Sequence, residues 1–245
     1  MKKFLAVVLL AAFTTVSVAQ ESVKLRLNYK KGDSYVMKIN MNQNMPAMSM
    51  NMKMNAKVDI TDVNGENYLS ETKFTKIDMG MMQGGMQMAA STEDKTEDLD
   101  VMSQQIKGQL DEMLTVIITS ETNNLGEVIN VEAAPNLPGM DQMKNQIGSV
   151  TYPEKALKIG DSWTDEKTEQ GMVIKTTYKV KSISKDVVGI DITGEVSGIG
   201  EGKLSGSMDL DRASGIPKTS TLVMEMNVQG QDMKTNVSTT MEKVI

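Results

Sequence analysis

From Met48 to Ile60 every second residue is apolar: Met48, Met50, Met52, Met54, Ala56, Val58 and Ile60. The residues between them, Ser49, Asn51, Lys53, Asn55, Lys57 and Asp59, are polar or charged. Successive side chains on a β-strand point to opposite sides, so this pattern describes a strand with one dry and one wet face. A helix, whose faces repeat every 3.6 residues, cannot use it. A dry strand face needs neighbouring strands and a cover, so this stretch commits the chain to a sheet with a core on one side.

The first nineteen residues read as a leader. Lys2 and Lys3 form a basic start, and Phe4 to Phe13 is unbroken apolar sequence. Ser17-Val18-Ala19 has the small-residue pattern of a cleavage site, so the mature chain is expected to begin at Gln20 and to be exported, to the periplasm or beyond the cell. No Cys follows to carry a bacterial lipid anchor, and no later segment is apolar for long enough to cross a membrane as a helix. The full sequence carries a net charge of −6, and loss of Lys2 and Lys3 makes it more acidic, which argues against nucleic acid and anionic membrane surfaces. Aromatic residues make up 4% of the chain, too few for the two aromatic girdles of an outer-membrane barrel.

The chain has 23 Met, no His and no Cys. Without Cys the fold must rest on burial and sheet hydrogen bonds, although an exported compartment would permit disulfides. Without imidazole or thiol the usual general base and the strongest side-chain nucleophile are missing. The expectation is a non-enzymatic protein with no cofactor.

The chain also resembles itself. Tyr29-Lys30-Lys31-Gly32-Asp33-Ser34-Tyr35 parallels Ala156-Leu157-Lys158-Ile159-Gly160-Asp161-Ser162-Trp163. Each reads as a turn ending in Gly-Asp-Ser and an aromatic, followed by strands, a Gly-rich crossing (79–88 and 197–206) and a final strand–turn–strand. Tyr35 and Trp163 are expected to pack inward at equivalent places. One helix interrupts the first half: Leu99, Met102, Ile106, Leu110 and Met113 fall at helical spacing, with Glu93, Asp94, Glu97 and Asp98 at its N-terminal side. A shorter helical turn is expected at Met140–Ile147. The chain is therefore divided into a leader (1–19), a first β repeat with a helical insertion (20–131), a linker (132–152) and a second repeat (153–245), together one continuous domain over 20–245. The expected fold is mainly β: two antiparallel meanders form one curved or half-closed sheet, and one amphipathic helix, about 98–113, covers its apolar face. Half-barrels of the lipoprotein-carrier type offer an architectural analogy.

Three segments carry a family resemblance: Leu25 to Tyr35, Val58 to Gly65, and Pro153 to Trp163. On these the chain resembles an uncharacterised family of secreted Bacteroidota proteins, domain of unknown function 6263, over almost the whole mature chain. The resemblance brings no activity and no catalytic residues.

The Gly-Asp-Ser motifs invite a hydrolase reading, but a Ser nucleophile needs a base within reach, and both copies precede a strand, as β-turns do. Asp209-Leu210-Asp211 lacks the spacing of an EF-hand loop and reads as a solvated strand end. The methionines hold the real choice. Met48, Met50, Met52 and Met54, with Val58, Ile60, Leu99, Met102, Ile106 and Leu110, form the candidate site. Three readings fit: plain core, a groove for a lipid-like or other apolar ligand, or a Cu(I) site of thioethers along one strand. In the groove reading the helix is a lid, hinged at Gly80, Gly84 and Gly85.

Overall fold

The computed structural model describes residues 21–138, 140, 150–169, 171–228 and 230–244. The leader, and the helical turn expected at Met140–Ile147 apart from Met140 itself, lie outside them. In chain order the strands are β1 (Ser22–Val23), β2 (Ser34–Met45), β3 (Met48–Asn64), β4 (Asn67–Gln83) and β5 (Met86–Ser91). A short 3-10 turn (Thr96–Asp98) and helix α1 (Val101–Leu114) follow. Then come β6 (Ile117–Asn123), β7 (Val128–Ala134), β8 (Leu157–Lys158), β9 (Ser162–Glu169), β10 (Met172–Ile183), β11 (Val187–Gly198), β12 (Gly200–Asp211), β13 (Pro217–Val228) and β14 (Gln231–Lys243).

One antiparallel sheet has the order β7-β6-β4-β3-β2-β14-β13-β12-β11-β10-β9, with β5 paired to the outer end of β4. Strands β7 and β9 are its two ends, so the sheet stays open rather than closing into a barrel. The fold is mainly β with meander order, as expected. The order also repeats. The series β7-β6-β4-β3-β2 is followed by β13-β12-β11-β10-β9, and β14 lies between them.

The halves share their fine geometry. Gly32 and Gly160 both adopt positive φ, 87° and 93°, which a side chain would resist. The Asp33 amide donates to the Lys30 carbonyl at 2.9 Å, and the Asp161 amide to that of Lys158 at 3.0 Å. In return the Asp33 carboxylate accepts from the Lys30 amide at 3.1 Å and the Asp161 carboxylate from the Lys158 amide at 2.9 Å. Each turn then pairs with the second strand of its repeat: Gly32 N–H to Ile60 O at 2.9 Å, Gly160 N–H to Val180 O at 2.8 Å. One residue further on, both second strands carry a bulge, at Thr61 and at Lys181. A bulge flips the alternation, so Ile60 and Val63 both face the core, as do Val180 and Ile183. The stretches 79–88 and 197–206 are not crossings. They are strand ends and hairpin turns, β4 into β5 and β11 into β12, and Gly84 and Gly85 take the positive φ of the first hairpin tip.

The core lies on one face of the sheet in two clusters. The larger brings Val58, Ile60, Val180, Val188, Ile190 and Leu210 from the sheet against Leu25, Leu27, Tyr152 and Leu157. These last four belong to two segments, 22–29 and 150–158, joined through β1 and β8 and laid across the sheet like a strap. The strap bonds to both halves: Leu27 N–H to Asn124 O at 2.8 Å, Asn28 N–H to Ser214 O at 2.9 Å, and Tyr152 Oη to Gly215 O at 2.7 Å. Tyr35 is buried in this cluster; Trp163 packs against it, half-buried, stacked on Tyr178 at 5.2 Å, with its indole N–H donating to Thr151 O at 2.9 Å.

The smaller cluster lies under α1 and joins Ala56, Phe74, Ile77, Ala90, Leu110, Val116 and Ile118. A bulge at Thr75 places Phe74 and Ile77 on the same face. Helix α1 is capped by Asp100, whose carboxylate accepts from the amides of Met102 at 3.0 Å and Ser103 at 3.1 Å. It packs on β4 and β5. Leu110 is buried, and Leu99, Ile106 and Met113 pack on the cluster as the spacing implies. Met102 does not. It stands 50% exposed, while Ser103 and Lys107 are buried. The helix is rotated so that Lys107 lays its stem inward and donates to Asp111 at 2.9 Å and to Thr92 O at 3.3 Å. Two of the acidic residues before the helix have other partners: Glu93 pairs with Lys76, and the Asp94 carboxylate accepts the Ser91 amide at 2.7 Å. Among the described residues no helix is long and apolar enough to cross a membrane.

Candidate functional site: a methionine face

Strand β3 runs through both cores. Ala56, Val58 and Ile60 are buried, whereas Met48, Met50, Met52 and Met54 are half-buried towards the far end. The register shows what flanks them. Met45 is paired with Met48 and Met41 with Met52 across β2–β3. Met52 is paired with Met79 and Met50 with Met81 across β3–β4, and Met81 with Met88 across β4–β5. Directly opposed residues share a face. The two methionine-rich runs therefore merge into one field.

The second half adds to it. Met226 is paired with Met233 across β13–β14, and Met37 with Met241 across β14–β2. The Gln43 amide donates to the Met233 sulfur at 2.8 Å, so this thioether presents a lone pair on the face. The alternation of Leu222, Met224, Met226 and Val228 is as legible in the sequence as that of β3. What no local pattern reveals is that β14 lies beside β2, which brings these side chains to Met41 and Met45.

The candidate residues thus divide. Val58 and Ile60 belong to the core under the strap. Leu110 is buried, and Met52, Met54, Leu99 and Ile106 pack into the core under α1. Met48 and Met50 lie outside both clusters, with Met41, Met45 and Val237 beside them, all half-buried. Met102 faces away. The glycines assigned to a hinge form the β4–β5 tip, and α1 sits beside the uncovered methionines rather than over them. Two open hollows, about 460 and 620 Å³, lie at this far end, one lined by Asn42, Asn51, Gly80 and Asn236, the other by Met45, Met226 and Met233 with Glu225 and Asp232.

The polar motifs are occupied in holding turns. Ser34 donates to Asp59 at 2.6 Å, and bonds from Lys57 and Ser34 hold the Asp59 carboxyl below its usual range. Burial would raise the Asp33 carboxyl, but bonds from Lys243, the Lys30 amide and Tyr35 outweigh it and lower it. The Asp211 carboxylate accepts from Ser214 Oγ at 2.8 Å and its amide at 2.9 Å; burial opposes ionisation there too, and these bonds again prevail. Among the described residues no group of three or more His, Cys, Asp or Glu is placed to hold a metal.

Residues 136–243 match the model of a family described as Family of unknown function (DUF6263), so the second half carries a domain of unknown function. The match covers this part of the chain, less than the nearly full-length resemblance expected. No curated protein matches. Among solved structures, one described by the words "lipid-protein interactions in lipovitellin" superposes with a TM-score of 0.53 at 10% identity. The alignment covers 88% of this chain and 25% of that one, so this chain spans a quarter of that chain's length. At that identity the likeness is one of fold.

Proposed function

We propose that this is an exported, non-enzymatic protein that holds a lipid-like, acyl-chain ligand against the methionine face between β14 and β4. One observation carries the reading. Met41, Met45, Met48, Met50 and Val237, with the uncharged Gln43 among them, form a mainly apolar strip on the core side of the sheet that neither the strap nor the helix covers. Unbranched thioether side chains re-pack around varied apolar shapes. Each methylene that a ligand removes from water there contributes about 0.8 kcal/mol, so a chain with ten methylenes in contact gains on the order of 8 kcal/mol before ordering costs. The fold is like that of a solved lipovitellin structure concerned with lipid–protein interactions in that protein, which supports the same class of ligand. The order of basic, apolar and small residues at 2–19 supports export.

The ligand lies beside α1, not beneath it. The helix is anchored by Leu110 and by Lys107, and its neighbouring glycines serve a hairpin, so uptake requires no lid. Titration of the mature protein with a fluorescent fatty acid tests this. Saturable uptake is expected, lost in a Met41→Lys/Met50→Lys variant and kept in Met102→Lys, which alters an exposed helix position. No uptake by the wild-type protein would refute the reading and leave a structural module with a dry core. N-terminal sequencing of exported protein tests the leader; cleavage after Ala19 is expected and a retained Met1 would refute it.

A further inference from the structure

The methionines of two separate runs meet on three neighbouring strands. Met50 stands opposite Met81, and Met81 opposite Met88. Along one strand, residues two apart are separated by about 6.6 Å, but directly opposed residues have Cβ atoms about 4.5–5.5 Å apart. Each sulfur lies two bonds beyond Cβ on freely rotating bonds, so the outer two side chains can lean over the central one and bring three sulfurs to one point. One row nearer the tip, Gln83 stands between Met48 and Met86 and adds two thioethers. The set runs from core to solvent: Met88 is buried, Met50 and Met81 are half-buried, and Met86 is 59% exposed.

We propose that Met50, Met81 and Met88 form a thioether site for Cu(I), with Met48 and Met86 at its mouth. Thioethers are soft, neutral ligands that select Cu(I) over hard cations. The chain contains no thiol or imidazole to compete for the ion. The side chains interspersed in these two rows, Gln43 and Gln83, are uncharged, so no cation of the protein repels the metal from within them. The protein's net negative charge favours a cation at long range. A thioether carries no proton to displace, so binding at this site is insensitive to pH, unlike binding by thiolate, imidazole or carboxylate.

The test is an anaerobic titration of the mature protein with Cu(I), in competition with a chromophoric Cu(I) chelator. One Cu(I) per chain is expected, with the same affinity from about pH 5 to about 7 and an all-sulfur shell by X-ray absorption. The variant Met50→Leu/Met81→Leu/Met88→Leu nearly conserves volume and should weaken binding at least about tenfold. Met224→Leu/Met226→Leu/Met233→Leu, on the same face in the other half, should bind as wild type. No Cu(I) binding, a pH-dependent affinity, a nitrogen or oxygen shell, or equal loss in both triple variants would overturn the assignment. Should the first triple variant fail to fold, Met81→Leu alone is read by the same titration and must weaken binding. Met88 lies on β5, outside the strip assigned to the acyl chain, so Met88→Leu should weaken copper binding while fatty-acid uptake persists, and the two proposals fail separately.

Discussion

Replacing Gly215 with alanine tests the strap more sharply than any core truncation. Gly215 has φ of 66°, in the left-handed region, and an added Cβ would fall on the carbonyl oxygen of Arg26, with the Arg26 carbonyl carbon 2.7 Å away. Both obstructing atoms are backbone, so no rotamer relieves them. Gly32 has a comparable φ of 87° but nothing within 4 Å of its Cβ position. Gly32→Ala therefore carries the conformational term alone, about 1–2 kcal/mol. Gly215→Ala carries that term and must also push the strap off the sheet. The push strains the Asn28–Ser214 and Tyr152–Gly215 hydrogen bonds, about 1 kcal/mol each, and loosens Leu25 and Leu27 in the core. Gly215→Ala should then cost about 3–5 kcal/mol, at least twice the cost of Gly32→Ala. Urea unfolding of both variants beside wild type, with slopes compared to confirm one transition, measures the difference. Equal midpoints for the two variants would refute the claim that the strap is held against this turn.

Leu25→Ala, at a strap residue 1% exposed, should cost about 2–5 kcal/mol in the same assay; a surface-like loss below about 0.5 would contradict its place in the core. Trp163→Ala removes a half-buried ring and its stack on Tyr178 and should cost about 3 kcal/mol, and native indole emission should be that of a shielded ring. The carboxyls of Asp33 and Asp211 are lowered on folding, so their stabilisation is present above the ordinary carboxylate range and is lost as pH falls through their folded values; Asp33→Asn should flatten the acid limb of a stability–pH curve. Burial pushes Tyr29 and Tyr178 up to about 12, so stability should fall as pH rises from about 10, where the unfolded chain ionises, towards about 12; phenolate absorbance should rise together with unfolding, not before it.

Local features were legible where chemistry and geometry are local. The alternation of Met48–Ile60, the paired Gly-Asp-Ser turns and the helix each follow from periodicity or turn residues within a few positions. A stripe defined by apolar residues alone includes Met102, which the helix leaves exposed. Lys107, by burying its stem and paying its ammonium with Asp111 and Thr92, turned the helix towards the 103–107–110 line. The strap is not legible in the sequence, because Val23, Leu25, Leu27 and Tyr29 alternate like one more strand, yet only Ser22–Val23 is laddered and the rest bonds to turns. The full extent of the methionine face was hidden for a related reason. It depends on a pairing, β14 with β2, between residues nearly two hundred positions apart, and no window of sequence contains both.

That pairing governs when the molecule can become one body. Within the sheet, β14 is what connects the two halves, with β2 on one side and β13 on the other. A chain emerging from its N-terminal end makes β2 early, and that strand's outer edge stays unpaired until residues 231–243 arrive. Such a fold is dominated by distant contacts and assembles slowly, on the timescale of sheet proteins rather than bundles. In the interval, β2 offers a long row of unsatisfied backbone groups beside Met41 and Met45, an invitation to the same strand in a second copy. Shortening the chain before β14 should leave a product that sticks to itself, and a peptide of residues 231–243 added in trans should quiet it.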